Sequence, residues 1–169
     1  SGPRHIPLRG WLPEELCALI ERIAPTRLTA LIVGETGSGK ERLARVIHDL
    51  SDRRDAPFLA LSCAAIPEQL VESTLFGHGA GAFTGAAEAR AGVFRAAGRG
   101  TLFLDNVDAL TPRAQGALLE VLETGLFRPV GEHRPQRSEA RIIAATNADL
   151  QRLVDERRFR QDLRYRLGG

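Results

Sequence analysis

"GETGSGKE", Gly34 to Glu41, follows the apolar run "TALIV", Thr29 to Val33, and precedes a segment in which Leu43, Val46, Ile47 and Leu50 mark one helical face. The first unit therefore reads as strand, glycine loop, helix, with the apolar run expected to be a strand buried on both faces. Gly, four residues, then Gly-Lys is the spacing of a phosphate-binding loop, and it stands in the strand-to-helix context that such a loop requires. Its glycines let successive backbone N–H groups turn inward, the helix N-terminus adds a positive dipole end, and Lys40 is placed to reach β- and γ-phosphates. Gly34, Glu35, Thr36, Gly37, Ser38, Gly39, Lys40 and Glu41 are thus candidate nucleotide-binding residues. A plain glycine-rich turn is the bland alternative, and the flanking elements favour it little. The general pattern ends in a serine or threonine whose hydroxyl touches magnesium; Glu41 stands there instead.

Outward from this loop, strands and helices alternate. "PEELCALIERIAP" places Leu16, Leu19, Ile20 and Ile23 at helical spacing, with Pro13 suited to the first position and Pro25 to the stop. "FLALS" (Phe58 to Ser62), "TLFL" (Thr101 to Leu104) and "RIIAAT" (Arg141 to Thr146) are further strand candidates. "TPRAQGALLEVLETG" reads as a helix with Thr111 as N-cap, Pro112 in the first position, Ala114, Leu118, Val121 and Leu122 on one face, and Gly125 as terminator. Such alternation calls for an α/β fold with a mostly parallel sheet, ligands lying at the carboxyl ends of its strands. "AGRG" and "GEHRPQRSE" read as exposed loops.

Composition narrows the function classes. With 169 residues, 43% of them hydrophobic and 26% charged, the chain fits one ordinary domain spanning residues 1–169. A net charge of +2 gives no broad basic surface for direct nucleic-acid binding. Cys17 and Cys63 lie far apart and outside any metal-binding spacing, so both read as buried thiols of a reducing, cytoplasmic compartment. No apolar run approaches the roughly 20 residues of a membrane span, and no signal peptide precedes the first helix. Ser1-Gly2 at the start and the absence of methionine lead us to expect a piece of a longer protein.

The strand "TLFL" runs into Asp105, a carboxylate at a strand end that is suited to hold Mg2+ directly or through water. A surface cap of the strand is the other reading of Asp105, and the phosphate loop tips the balance toward the metal. Asn106 follows, where many nucleotide hydrolases carry a second carboxylate.

Together these residues resemble the central AAA+ ATPase domain of bacterial enhancer-binding proteins, the activators of sigma-54 RNA polymerase. The phosphate loop of that family ends in Gly-Lys-Glu, as at Glu41, and "FGHGAGAFTGA" contains its GAFTGA signature intact at Gly81, Ala82, Phe83, Thr84, Gly85 and Ala86. "IIAATNADL" is similar to its sensor I segment with Asn147, and "FRQDLRYRL" to the segment bearing two arginines, here Arg160 and Arg166. Similarity runs from about Leu28 to Leu167. The resemblance implies a three-layer P-loop NTPase sandwich with a five-stranded sheet, ATP and Mg2+ as ligands, and a hexameric or heptameric ring in the full-length protein. It implies a GAFTGA loop that projects to the ring pore and engages sigma-54 RNA polymerase holoenzyme. Arg160 and Arg166 would be arginine fingers acting across a subunit boundary, and Asn147 would sense the γ-phosphate or place the attacking water. The family's C-terminal helical lid, any receiver domain and the domain that binds promoter DNA are expected to lie outside this sequence.

Read from the residues alone, Phe83 could pack back onto its own domain, Arg160 and Arg166 could lie on a solvent-facing helix, and Asn147 could end a strand with its amide bonded locally. "GLFRPVGEHRPQ", Gly125 to Gln136, fits either the family's second pore-side insertion or a plain surface hairpin.

Two departures from the family bear on turnover. Asn106 replaces the glutamate that polarises the attacking water, and Ser62 replaces the asparagine that contacts that glutamate as a switch. Losing a general base typically costs about 10²- to 10⁴-fold, although phosphoryl transfer depends mainly on positioning and electrostatics. The sequence therefore supports an ATP-driven remodeller of sigma-54 holoenzyme with weakened turnover, or a hydrolysis-impaired module in which bound nucleotide sets assembly and contacts. A small-molecule kinase fits less well, given Glu41 and the GAFTGA segment.

Overall fold

A computed structural model describes residues 10–168; Ser1 and Gly2 lie outside them. Four parallel strands form the central sheet: β1 (Ala30–Val33), β2 (Phe58–Ser62), β3 (Thr101–Asp105) and β6 (Arg141–Thr146), in the order β1-β6-β3-β2. A separate antiparallel pair, β4 (Leu126–Phe127) and β5 (Gln136–Arg137), makes a hairpin. The expectation of five strands is thus corrected to four in the described sheet.

Because side chains alternate along a strand, each central strand feeds two cores. Leu102 and Leu104 of β3 and Ile142 and Ala144 of β6 face one layer, built on α3 (Val71–Phe76), α4 (Val93–Ala97), α5 (Pro112–Thr124), α6 (Leu150–Asp155) and α7 (Gln161–Gly168). Phe103, Ile143 and Ala145 face the other, where α1 (Glu14–Ile23) and α2 (Lys40–Asp49) pack through Cys17, Ile20, Ala44 and Ile47. The result is a mostly parallel sheet covered by helices, as the alternation of elements calls for, in the three layers that the family resemblance implies.

Three local expectations change. The apolar run before the glycine loop lies at the sheet edge, and Val33 is 67% exposed, so β1 is not buried on both faces. Leu19 of α1 points outward, 48% exposed, while Cys17 and Ile20 carry the buried stripe. In "AGRG" the two ends are buried: a Cβ at Gly100 would lie 1.9 Å from the Pro57 carbonyl oxygen, so only glycine fits this close approach ahead of β3. The α5 caps are as expected, with the Ala114 N–H donating to Thr111 Oγ1 at 3.2 Å and Gly125 at φ 71°.

Arg141 opens β6 and is 2% exposed. Its guanidinium donates to the carbonyls of Leu28 (3.1 Å), Ala24 (2.7 Å) and Ile23 (2.9 Å), tying the sheet to the chain that leaves α1. Burial, and secondarily the Arg53 charge, lowers its pKa.

Candidate functional site

The carboxyl ends of β1, β3 and β6 place the nucleotide-loop candidates together at one edge of the sheet. Residues 34–39 bridge β1 and α2, with Gly37 at φ 79° and Gly39 at φ 87°, both in the left-handed region that favours glycine. Lys40 is 8% exposed, and its ammonium turns back into the loop, donating to the carbonyls of Gly34 (2.8 Å) and Glu35 (2.7 Å). Those bonds use two of the three ammonium donors and leave one for a phosphate oxygen. The Glu41 carboxylate lies 3.3 Å from Arg45 along the exposed face of α2. Glu41 is thereby engaged one turn down its own helix, so its main-chain N–H is the group it presents at the helix start.

Asp105 ends β3, opposite Ser62 in the register of β2 and β3. One of its oxygens accepts the Asn106 N–H at 2.8 Å. Among the described residues no three His, Cys, Asp or Glu side chains group as a metal site. A single carboxylate with an oxygen to spare suits Mg2+, which takes one or two protein carboxylates and fills its shell with water and phosphate oxygens. The donor set at Asp105 therefore fits that ion.

Asn106 adopts φ 54° and ψ 48°, a left-handed conformation that asparagine tolerates better than most residues. Ser62 Oγ donates to Asn106 Oδ1 at 3.1 Å, so the two positions at which the chain departs from the family pattern touch each other. A short 3-10 turn, Val107–Ala109, follows, and Asp108 Oδ1 accepts the Thr146 hydroxyl at 2.5 Å. The thiol of Cys63, 2% exposed, is pushed up to about 12 by burial first and then by the charges of Asp105 and Asp108.

From the end of β6, Asn147 Nδ2 donates to Thr36 Oγ1 at 3.0 Å, which joins the sensor candidate to the phosphate loop. Arg160 and Arg166 stand elsewhere. Arg160 forms a two-pronged pair with Asp162 (3.0 and 2.9 Å), whose pKa is lowered by that contact, and Arg166 lies 3.6 Å from Glu123 of α5. Among the described residues, no hydrogen bond or ion pair joins either arginine to the phosphate loop.

The GAFTGA segment belongs to an excursion between α3 and α4. Its root is pinned by reciprocal backbone bonds between His78 and Arg90 (2.9 Å each) and by bonds of Gly77 and Gly79 with Val130 (2.9 and 3.0 Å). Its tip closes through the Gly81 N–H to the Ala86 carbonyl (2.6 Å) and the Ala86 N–H to the Phe83 carbonyl (3.0 Å), with Gly81 and Gly85 at φ 74° and 96°. Phe83 is 37% exposed and meets the His78 ring edge-on at 4.9 Å, so it leans on its own loop without entering the core. Thr84 is exposed, whereas Ala82 is half-buried and Ala86 buried. The segment Gly125 to Gln136 forms the β4–β5 hairpin, and its Gly131 (φ 78°) approaches so closely that an added Cβ would lie 2.7 Å from Ala82 Cβ.

Sequence reasoning missed His78, Val130 and Gly131 as supports of this loop. The Gly-His-Gly at its root was the available signal. A cavity of about 970 Å3 lies at the opposite, amino-terminal edge of the strands, lined in part by Arg27, Arg53 and Arg141. Arg53 and Arg141 are already held there by main-chain carbonyls, and open α/β sheets bind ligands at the other edge.

The chain is 49% identical over 153 residues to the phenol regulator MopR of Acinetobacter guillouiae, covering 90% of this chain and 27% of that protein. It is 48% identical over 154 residues to the DNA-binding transcriptional regulator NtrC of Rhizobium meliloti, covering 91% of this chain and 32% of that one. It thus spans about a third or less of these relatives. Among solved structures, NtrX from Brucella abortus in complex with ADP superposes with a TM-score of 0.82 at 35% identity, covering 92% of this chain and 34% of that one. The same protein in complex with ATP gives a TM-score of 0.80 at 35% identity, with 92% and 35% covered. The model of the sigma-54 interaction domain matches residues 12–169, and the chain belongs to that family.

Proposed function

We propose that this chain binds ATP with Mg2+ and, as one subunit of a cytoplasmic ring of six or seven copies, couples nucleotide turnover to movement of the GAFTGA loop against sigma-54 RNA polymerase. What carries the reading is the Asn147–Thr36 hydrogen bond, which brings the β6 sensor candidate onto a loop already holding the Lys40 ammonium. The ADP and ATP complexes of NtrX support adenine nucleotides as ligands.

In this reading the amides of residues 34–41 and Lys40 hold the phosphates, and Asp105 holds Mg2+, which supplies positive charge to the β- and γ-phosphates. Asn106 and Asn147 place the water. Its oxygen forms a bond to the γ-phosphorus as the bond to the β–γ bridging oxygen breaks, and its proton leaves to phosphate or solvent. Arg160 and Arg166 act on a neighbour's nucleotide once released from Asp162 and Glu123. Phe83 and Thr84 present the exposed tip to sigma-54, and promoter DNA is engaged only through a domain outside this sequence.

One observation favours a second reading. With Ser62 bonded to Asn106, the Asn106 amide offers donors to the site and no basic oxygen of carboxylate strength. A nucleotide-controlled module with little turnover is consistent with this. Phosphate release measured against protein concentration, with and without sigma-54, separates the two. Turnover rising with concentration supports the ring enzyme, ATP binding without release supports the module, and no ATP binding rejects both. Lys40→Ala should abolish binding in either case.

A further inference from the structure

The cavity of about 970 Å3 at the amino-terminal edge of the strands is not where an open α/β sheet takes its substrate, yet five arginines line it. Main-chain carbonyls account for Arg141, whose Nε, Nη1 and Nη2 are all engaged, and for Nη1 of Arg53, which donates to the carbonyls of Arg99 (2.8 Å), Gly100 (3.3 Å) and Glu139. Arg99 is paired with the Glu139 carboxylate at 3.0 Å. The remaining donors have no such account. Among the described residues, Nε and Nη2 of the half-buried Arg53 and the whole guanidinium groups of Arg27 and Arg137 have neither a hydrogen-bond nor an ion-pair partner. Asp52 and Asp55 also reach the rim, but no ion pair joins either of them to an arginine among the described residues.

Water satisfies an exposed arginine such as Arg27 or Arg137. It is a poorer explanation for Arg53, where positive charge gathers at a half-buried position. Burial first, and then the Arg27 charge, lowers the Arg53 pKa, and burial and the Arg53 charge do the same to Arg141. Guanidinium groups that oppose one another in this way are stabilised by an anion between them.

The placement of the donors says which anion. Arg27 comes from the chain entering β1, Arg53 from the turn after α2 and Arg137 from β5, so the ligand is met from three separate segments. A tetrahedral phosphate offers oxygens on all those sides, and each planar guanidinium can pair with two of them. The cavity is far larger than one phosphate, and no aromatic side chain lines it to receive a base. We propose that this cavity is a second anion site, which takes a base-free polyphosphate on Arg27, Arg53 and Arg137. It lies at the opposite edge of the sheet from residues 34–41 and does not rest on the reading of that loop.

Calorimetry with inorganic triphosphate on the Lys40→Ala chain, whose phosphate loop lacks its cation, tests it. Triphosphate should still bind, with an affinity that falls as salt is added, and orthophosphate should bind at least several-fold more weakly. Adding Arg27→Ala or Arg137→Ala, both on the exposed surface, should weaken triphosphate about tenfold, and Arg27→Lys should recover only part of that loss. Without ligand, Arg27→Ala should not lower the unfolding temperature, because it removes a charge that opposes Arg53. Amide exchange should slow at Gly125 and residues 137–141 when triphosphate binds. Absence of binding to the Lys40→Ala chain overturns the proposal, as does an affinity that both arginine substitutions leave unchanged. Protection confined to residues 34–40 would assign the triphosphate to the phosphate loop, equal affinity for orthophosphate would reject a polyphosphate, and a lowered unfolding temperature would make Arg27 a support of the fold; each of these also overturns it.

Discussion

Ser62 Oγ and Asn106 Oδ1 lie 3.1 Å apart, a hydrogen bond that joins the carboxyl ends of β2 and β3 next to the Asp105 carboxylate. In this bond the amide oxygen accepts, so the Asn106 amide is oriented with its NH2 as the free end. That end can donate to a water oxygen or a phosphate oxygen, but it cannot take a proton. The two departures from the family pattern are therefore one structural unit, and exchanging one alone breaks a contact.

Asn106→Glu should raise phosphate release by about 10²-fold under assembling conditions, the scale of a restored general base, with ATP affinity unchanged because Lys40 and the loop amides are untouched. Adding Ser62→Asn should alter the rate by more than it does in the parent chain, and a double-mutant cycle on phosphate release measures that coupling. A rate in Asn106→Glu equal to or below that of the parent rejects this account.

Arg141 is expected to matter for stability as much as any apolar core residue. Arg141→Met leaves the carbonyls of Ile23, Ala24 and Leu28 without their donors and should cost about 3 kcal/mol. Thermal unfolding should then fall by roughly 6–12 °C. Arg141→Lys should recover only part of this, since one ammonium cannot span acceptors that a planar fork reaches together.

His48 gives the fold a pH dependence of known sign. It is 3% exposed, its Nδ1 lies 2.8 Å from Thr101 Oγ1, and burial lowers its pKa. The unfolded chain takes up a proton near the ordinary value of about 6.5, while the folded chain resists protonation until lower pH. The contribution of neutral His48 is therefore complete above that value and is lost as pH falls toward the folded pKa. Unfolding temperatures at pH 7.5 and 5.5 should differ more in the parent chain than in His48→Gln, and equal differences would show that His48 does not titrate in this way.

Much of the fold was legible because buried parallel strands announce themselves: Phe103, Leu104, Ile143 and Ala144 are apolar on both faces and buried on both faces. The same rule failed at β1, since an apolar run does not reveal whether a partner lies on each side of the strand, and Val33 turned out exposed at the sheet edge. The strand–loop–helix unit around residues 34–41 and the place of Asp105 at the end of β3 were legible because their spacing is local, whereas Asn147 was singled out only through the family resemblance. That positions 62 and 106 meet followed from the family resemblance; that serine and asparagine there still bond each other did not, because it depends on side-chain geometry set by the register between β2 and β3. Arg141 was hidden for a different reason. A charged residue at a strand start ordinarily reads as solvent-facing, and its carbonyl partners lie more than a hundred positions earlier in the chain.

The contact between Gly131 and Ala82 yields the last prediction. Gly131 holds φ 78°, and a Cβ there would stand 2.7 Å from Ala82 Cβ and 3.1 Å from Ala82 Cα. Backbone atoms of the GAFTGA loop cannot yield as a flexible side chain would, so Gly131→Ala must move either the β4–β5 hairpin or the loop itself. Backbone strain in the left-handed region adds about 1 kcal/mol, small beside the stability of a domain. The loop proposed to hold nucleotide shares no hydrogen bond with Gly131 among the described residues. Gly131→Ala should therefore bind ATP as the parent chain does, while its affinity for sigma-54 in the presence of an ATP analogue falls at least several-fold. Calorimetry for ATP and fluorescence anisotropy for labelled sigma-54 read the two separately. Unaltered sigma-54 affinity would mean that the hairpin does not position the tip carrying Phe83 and Thr84, and a parallel loss of ATP binding would mean that the substitution has disturbed the whole fold.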